Sequence, residues 1–288
     1  MTVWLDGALL PDTAAAFPID DRGLLLGEGL FETLLAWDGT VLEGDAHLAR
    51  LAHSAGILGL PLAWSPAALA EAMVEVLKAN ALDGGRGALR LTLTGGDGPR
   101  GLLPLAVPRP RLLITARPAD ALPTEPAAVV IAPFTVSAAS PLRGHKTLSA
   151  LEQVLARRYA AAAGAQEALL LNSTGHLVEA SAANLFLVLD GALLTPPLAD
   201  GALPGVTRAR VLALAAEAGI PATADRSLTP DDLSSADEAF LTSSLVGLRG
   251  LSSAPGRRFD AGPVTARLRA RLLRRWQTQD SAPNRRSG

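Results

Sequence analysis

The chain has 288 residues, 49% of them hydrophobic and 19% charged, with a formal net charge of −2. That mix belongs to a globular chain of one or two domains and excludes disorder. The near-neutral balance gives no ground for a nucleic-acid or anionic-membrane partner, and the lack of cysteine excludes disulfides, thiolate metal sites and a cysteine nucleophile.

The first residues show no basic segment followed by a long apolar run, so no signal peptide is expected. No stretch approaches the roughly 18 apolar residues of a membrane span. The expectation is a soluble, cytoplasmic protein.

In chain order, Asp6-Gly7 marks a first hairpin and Asp38-Gly39 a second. Helical spacing predicts helices over 47–58 and 66–79, the latter opened by Pro66. Alternation predicts strands over 88–94 and 111–116. These make a small α+β domain over 1–117. Prolines and acids over 118–126 read as an interdomain linker. A larger domain follows over 127–280. Within it the sequence predicts a strand at 129–131, a helix at 148–163, strands at 167–171, 185–189 and 192–195, a helix at 206–218, a strand at 238–242 and a helix at 267–276. Residues 281–288 read as a disordered tail.

Several residues invite chemistry. Of the 26 basic residues only Lys78 and Lys146 are lysine. Lys146 sits just before a long helix, where a mere cap would not favour a cation. In an apolar pocket its amine sheds charge and adds readily to an aldehyde. Glu179, between a turn and an apolar strand, can pair with a protonated ring nitrogen. Leu203-Pro-Gly-Val-Thr-Arg208 opens a helix and offers free N–H groups and a hydroxyl to an anion. Leu241-Thr-Ser-Ser244 and the Arg50 guanidinium are further phosphate partners. Gly95-Gly-Asp-Gly-Pro-Arg-Gly101 lacks dinucleotide and P-loop spacing and reads as a substrate-side loop presenting Arg100, or as a surface turn. The four histidines follow no metal-ligand pattern, so no metal is expected. Taken singly, each of these also reads as an ordinary surface or capping residue.

Taken in order, the segments Asp21–Thr33, His47–Leu51, His145–Ser149, Glu179–Phe186, Leu203–Arg208 and Phe240–Ser244 resemble the fold type IV pyridoxal-phosphate enzymes, the class IV aminotransferase family. The resemblance runs from about Asp6 to about Leu251. It implies an α+β (α/β) fold of two domains, the larger with a barrel-like sheet, and pyridoxal 5′-phosphate as cofactor. It implies that Lys146 carries the cofactor and that Glu179 faces the pyridine nitrogen. Arg50, Val206, Thr207, Ser243 and Ser244 correspond to a phosphate cup, and Leu203 to a residue packed on the ring. A homodimer acting on a small amino substrate is implied as well.

Within the family, Leu148–Leu155, the Gly98–Gly101 loop and Thr33 look most like aminodeoxychorismate lyase, which yields 4-aminobenzoate and pyruvate. In that reading Thr33 assists elimination and Arg100 binds a carboxylate. Phe31 and Leu102 line the substrate side. They depart from the tyrosine and histidine usual in D-amino acid aminotransferases. Transaminases for D-amino acids, branched-chain amino acids or R-amines remain alternatives, as does a non-catalytic binding paralogue.

Overall fold

The computed structural model describes residues 1–280; the expected tail at 281–288 lies outside the described residues. The chain forms two compact units. The first comprises residues 1–121, the short segment 145–149 and the end of the last helix. The second comprises 122–144 and 150–275.

The first unit is built on β1 (Thr2–Leu5), β2 (Ala8–Pro11), α1 (Arg22–Leu26), β3 (Gly29–Trp37), β4 (Thr40–Val41), α2 (Gly44–Ile57), α3 (Pro66–Ala79), β5 (Arg86–Thr94) and β6 (Arg111–Pro118). Its strands form one six-stranded sheet in the order β2-β1-β6-β5-β3-β4. Apolar residues of β3, β5 and β6 alternate along the strands. Leu30, Leu34, Leu89, Leu91, Leu93, Leu112 and Ile114 are buried in one core with Leu48 and Leu51 of α2 and Leu69, Met73, Val76 and Leu77 of α3. That places Phe31, Thr33, Arg90 and Thr92 on the opposite face, because successive side chains in a strand alternate. The α3 start is fixed by Ser65, whose Oγ accepts the Ala68 N–H, with Pro66 in the first turn.

The second unit contains β7 (Ala127–Val136), α4 (Leu151–Ala162), β8 (Glu167–Asn172), β9 (Leu177–Ala180), β10 (Asn184–Leu189), β11 (Ala192–Leu194), α5 (Val206–Glu217), β12 (Ala222–Thr223), α6 (Pro230–Ser235), β13 (Glu238–Ser243), β14 (Gly247–Ala254) and β15 (Arg257–Arg258), with α7 (Pro263–Asp280) closing the described chain. Eight of its strands run β12-β11-β10-β13-β14-β7-β8-β9 and β15 joins β14, in one mixed, curled sheet. β10 is buried along most of its length, so it reads as a continuous apolar run rather than an alternating one.

The structure corrects several expected bounds. α4 begins at Leu151 rather than Leu148, because the Leu148 N–H is taken by the Gly29 carbonyl and Thr147 bridges Leu30. β7 is ten residues long rather than three: a register shift against β8 lets Pro133 stand within it, as proline is tolerated at irregular positions. β9 did not register as a separate strand, since four residues are too few to show a period.

Candidate active site

In the first unit, residues 145–149 lie along the end of β3. The Phe31 N–H bonds to the Lys146 carbonyl at 2.8 Å and the Leu148 N–H to the Gly29 carbonyl at 2.9 Å, with Leu30 and Thr147 bridged. Gly29 makes this approach possible, because a Cβ there would collide with the Leu93 carbonyl and Leu148 Cδ1. The lysine backbone is therefore tied to the free side of β3, at the end where β4 does not reach.

The Lys146 Nζ lies 4.4 Å from the centroid of the Phe31 ring, and the Arg90 guanidinium carbon lies 3.9 Å from the same centroid. Thr33 is two residues along on that face and pairs in register with Arg90. Amine, aromatic ring, hydroxyl and guanidinium thus share one face of the sheet. Burial lowers the Arg90 pKa, yet a guanidinium stays cationic throughout the physiological range.

The other face of β3 carries Glu32, which is 1% exposed. Arg50 of α2 donates Nε to Oε1 at 2.7 Å and Nη2 to Oε2 at 2.6 Å, and His47 Nδ1 stands 2.8 Å from Oε2. Burial alone pushes the Glu32 carboxyl up. The hydrogen bonds and charges of His47 and Arg50 outweigh it and hold the group below its ordinary value. Beside Lys146, His145 Nδ1 lies 2.9 Å from Ser54 Oγ. Burial first, and the neighbouring His53 second, lower the His145 pKa, so its ring is neutral at pH 7.

Arg100 and Leu102 sit on an exposed loop between β5 and β6, and Leu102 is 81% exposed. Phe31, Thr33 and Lys146 are brought to one face. Arg50 reaches that strand from behind.

In the second unit, Glu179 lies on β9 opposite Leu170 of β8. Its Oε2 accepts from the Leu203 N–H at 3.0 Å and from Asn184 Nδ2 at 3.1 Å. The same Asn184 amide donates to the Leu203 carbonyl at 2.9 Å. One side chain thereby fixes both a carboxylate and the carbonyl of Leu203, three residues before a helix. Gly205 caps that helix, and a Cβ there would overlap Asn184 Oδ1. Val206 and Thr207 follow in the first turn of α5, where no side-chain cap occupies the helix start and the dipole favours an anion.

Asn184 pairs across the sheet with Thr242 of β13, so Ser243 ends that strand and Ser244 follows it. Thr242 Oγ1 is buried and meets no hydrogen-bond partner among the described residues. Arg208, also buried, donates to Thr195 Oγ1 at 3.3 Å and to the Pro196 carbonyl at 3.0 Å. Burial lowers its pKa while the charge of Glu179 raises it, so the two groups feel one another.

Sequence reasoning missed Glu32, His47, Arg90 and Arg208 as site residues. Glu32 had a signal: an acid at a core-facing position of an apolar strand must be paired. Arg90 had another, a lone cation between two core leucines of β5, pointing away from the core.

The family model for amino-transferase class IV matches residues 29–254. The chain is 30% identical to the D-alanine aminotransferase of Bacillus licheniformis over 94% of this chain and 96% of that protein. It is 31% identical to the aminodeoxychorismate lyase of Vibrio harveyi over 93% and 98%. Among solved structures, the branched-chain aminotransferase of Thermoproteus uzoniensis with norvaline superposes with a TM-score of 0.91, at 31% identity over 97% of this chain and 96% of that one. The 4-amino-4-deoxychorismate lyase of Pseudomonas aeruginosa gives 0.84 at 34% identity, over 94% and 98%. A branched-chain aminotransferase complexed with N-(5′-phosphopyridoxyl)-L-glutamate gives 0.89 at 27% identity, over 96% and 94%.

Proposed function

We infer the reaction from one premise: the chain belongs to the class IV amino-transferase family, whose members are pyridoxal-phosphate-dependent aminotransferases or lyases. The chain is thus an enzyme, its cofactor is pyridoxal 5′-phosphate, and its fold is that of the fold type IV enzymes. The reaction we propose is that of aminodeoxychorismate lyase.

The residues present fit the cofactor. Glu179 is held by two donors and faced by the charge of Arg208, so it stands ready as an anion for a protonated pyridine nitrogen. Thr242 Oγ1, buried without a partner among the described residues, belongs to the strand end whose serines suit a phosphate. We assign the phosphate to Val206, Thr207, Ser243, Ser244 and Arg50, the ring face to Leu203 and the covalent link to Lys146.

When bound, the cofactor supplies an electron sink for the pair released as a bond at the substrate's amine-bearing carbon breaks. Lys146 would hold the cofactor through its amine and would move the proton at the substrate's amine-bearing carbon. Phe31 orients the Lys146 side chain through its ring face. Glu179 keeps the pyridine nitrogen protonated. Glu32 fixes the orientation of the Arg50 guanidinium, so that it needs no further ordering when an anion arrives.

The observation that carries the lyase reading is the placement of Thr33. Its hydroxyl shares a sheet face with Phe31, against whose ring Lys146 lies, and faces Arg90 in register. Elimination breaks the ring C–O bond to enolpyruvate. The proton lost from the amine-bearing carbon is balanced by the one the departing enolate takes up, and Thr33 is the hydroxyl suited to pass it. Arg90 and Arg100 are the cations available to the two substrate carboxylates.

A second reading, a transaminase acting on branched-chain or D-amino acids or R-amines, is favoured by the closer superposition on the archaeal branched-chain enzyme. Leu24, Leu25 and Leu26 of α1, and the stripe Leu151, Val154, Leu155 and Tyr159 of α4, are exposed. Apolar surface of that kind supports a homodimer in either reading. Among the described residues no helix is long and apolar enough to cross a membrane.

The deciding experiment supplies the purified enzyme with 4-amino-4-deoxychorismate and follows 4-aminobenzoate. D-alanine, L-leucine and R-1-phenylethylamine are offered in parallel with 2-oxoglutarate or pyruvate. Formation of 4-aminobenzoate with kcat/KM at least about tenfold above every transamination supports the lyase. Faster transamination with any donor overturns it.

A further inference from the structure

We propose that Arg22 is the positioning residue for the loop that carries Arg100, and that through this loop it sets the enzyme's affinity for carboxylate substrates. The proposal rests on the reading in which Arg100 meets substrate.

Residues 98–107 form neither helix nor strand. The loop is closed at its base, where Gly96 bridges Arg109 and Asp21 bridges Asp97. Beyond that base, the hydrogen bonds that reach its backbone among the described residues come from one side chain. Arg22 Nη2 donates to the Leu102 carbonyl at 2.7 Å, and Nη1 to the carbonyls of Leu103 at 3.2 Å and Gly101 at 3.3 Å. Three successive carbonyls therefore converge on one guanidinium that is itself buried, at 4% exposure of the residue.

The clamp is well built. Arg22 Nε is paired with Glu28, which offsets the buried charge. The Arg22 N–H bonds to the Gly96 carbonyl at 2.8 Å, and Asp21 Oδ1 caps α1 by accepting from the Gly23 and Leu24 N–H groups. A Cβ at Gly98 would come within 2.7 Å of Arg22 Cδ, so the loop starts directly on the arginine stem. Leu102 and Leu103, their carbonyls drawn toward Arg22, are 81% and 82% exposed. Only arginine offers a rigid fork of five donors; a lysine presents a point charge that cannot hold three carbonyls in a fixed arrangement.

The consequence concerns Arg100, one residue before the first clamped carbonyl. A cation on an unheld loop must be ordered each time a carboxylate binds, and that cost appears as weaker binding. Arg22 removes the cost beforehand. Its effect should fall on KM rather than on the bond-breaking step.

The test uses Arg22→Gln, Arg22→Lys, Arg100→Gln and the Arg22→Gln/Arg100→Gln double variant of the full chain loaded with pyridoxal 5′-phosphate. Limited trypsin digestion, read by mass spectrometry, reports cleavage after Arg100. The expected result is cleavage about tenfold faster or more in Arg22→Gln than in the parent, because loop opening becomes easier. With whichever carboxylate substrate the enzyme accepts, KM should rise about tenfold while kcat changes less than about threefold. In the Arg100→Gln background, Arg22→Gln should add less than about twofold, since the two act as one unit. Arg22→Lys should restore little of the KM. It serves alone if Arg22→Gln does not yield folded protein.

Unchanged cleavage after Arg100 overturns the clamp whatever the activity. Faster cleavage with KM effects that multiply in the double variant overturns the link to substrate. An enzyme that turns over no carboxylate substrate refutes the functional reading, and the substrate half of this proposal with it, while the digestion still reads the clamp itself.

Discussion

Arg50 forks onto Glu32, with Nε and Nη2 at 2.7 and 2.6 Å from the two carboxylate oxygens, in a position where the acid is 1% exposed. A buried, bidentate pair of this kind is costly to break from one side, because the surviving charge loses most of what compensated it.

Replacing Glu32 by Gln should therefore lower stability by about 3 kcal/mol. It should also weaken cofactor retention about tenfold or more, through a misdirected Arg50. Urea unfolding and cofactor titration measure the two. The pH dependence has a definite sign. The folded Glu32 pKa is depressed, so its contribution is fully present above the unfolded value of about 4.3 and is lost as pH falls through the lower folded value. The stability gap between parent and Glu32→Gln should be widest near neutrality and shrink below about pH 4. A gap that widens on acidification would contradict this.

Asn184 and Gly205 are matched in size. Gly205→Ala places a methyl on Asn184 Oδ1 and should cost about 1–3 kcal/mol. Asn184→Ala removes the donor shared by Glu179 and the Leu203 carbonyl and should cost about 1–3 kcal/mol as well. Since the double variant loses the overlap with Asn184 and keeps only the 3.2 Å approach to Arg208 Cβ, its loss should fall short of the sum by about 1 kcal/mol or more. Chemical denaturation of the four proteins closes the cycle.

Glu179→Gln should leave the fold intact and lower kcat about 10²-fold or more, because a neutral amide no longer keeps the pyridine nitrogen protonated. Steady-state kinetics at saturating cofactor checks this. Loss of cofactor binding with an unchanged rate in the loaded enzyme would count against the role assigned to Glu179.

Thr33→Val keeps the shape and removes the hydroxyl. Formation of 4-aminobenzoate should fall about 10²-fold, while any transamination half-reaction changes less than about threefold. Equal losses in both would remove the ground for preferring the lyase.

Lys146 stood out as one of two lysines, and Glu179, Leu203 and Thr207 lay in motifs whose order is rarer than any one of them. Strand alternation over 88–94 and 111–116 marked the core face of the first sheet, because a half-covered sheet writes its register into the chain. What stayed hidden depends on pairing across long separations. Nothing local in the chain says that Glu32 meets a helix arginine 18 residues on, or that Arg22 reaches the Leu102 carbonyl 80 residues away. The non-helical segment through Leu148 was hidden for the same reason. Its leucines fit a helical period equally well, and the pairing of Lys146, Thr147 and Leu148 with β3 decides against it.

The most direct test of the central assignment is reductive trapping. The purified enzyme, loaded with pyridoxal 5′-phosphate, is treated with borohydride, digested and mapped by mass spectrometry. The phosphopyridoxyl mass should appear on the peptide containing Lys146, with loss of the visible absorbance, and Lys146→Ala should show neither the absorbance nor measurable turnover. A label on Lys78 or on no peptide, or an active Lys146→Ala enzyme, would contradict it.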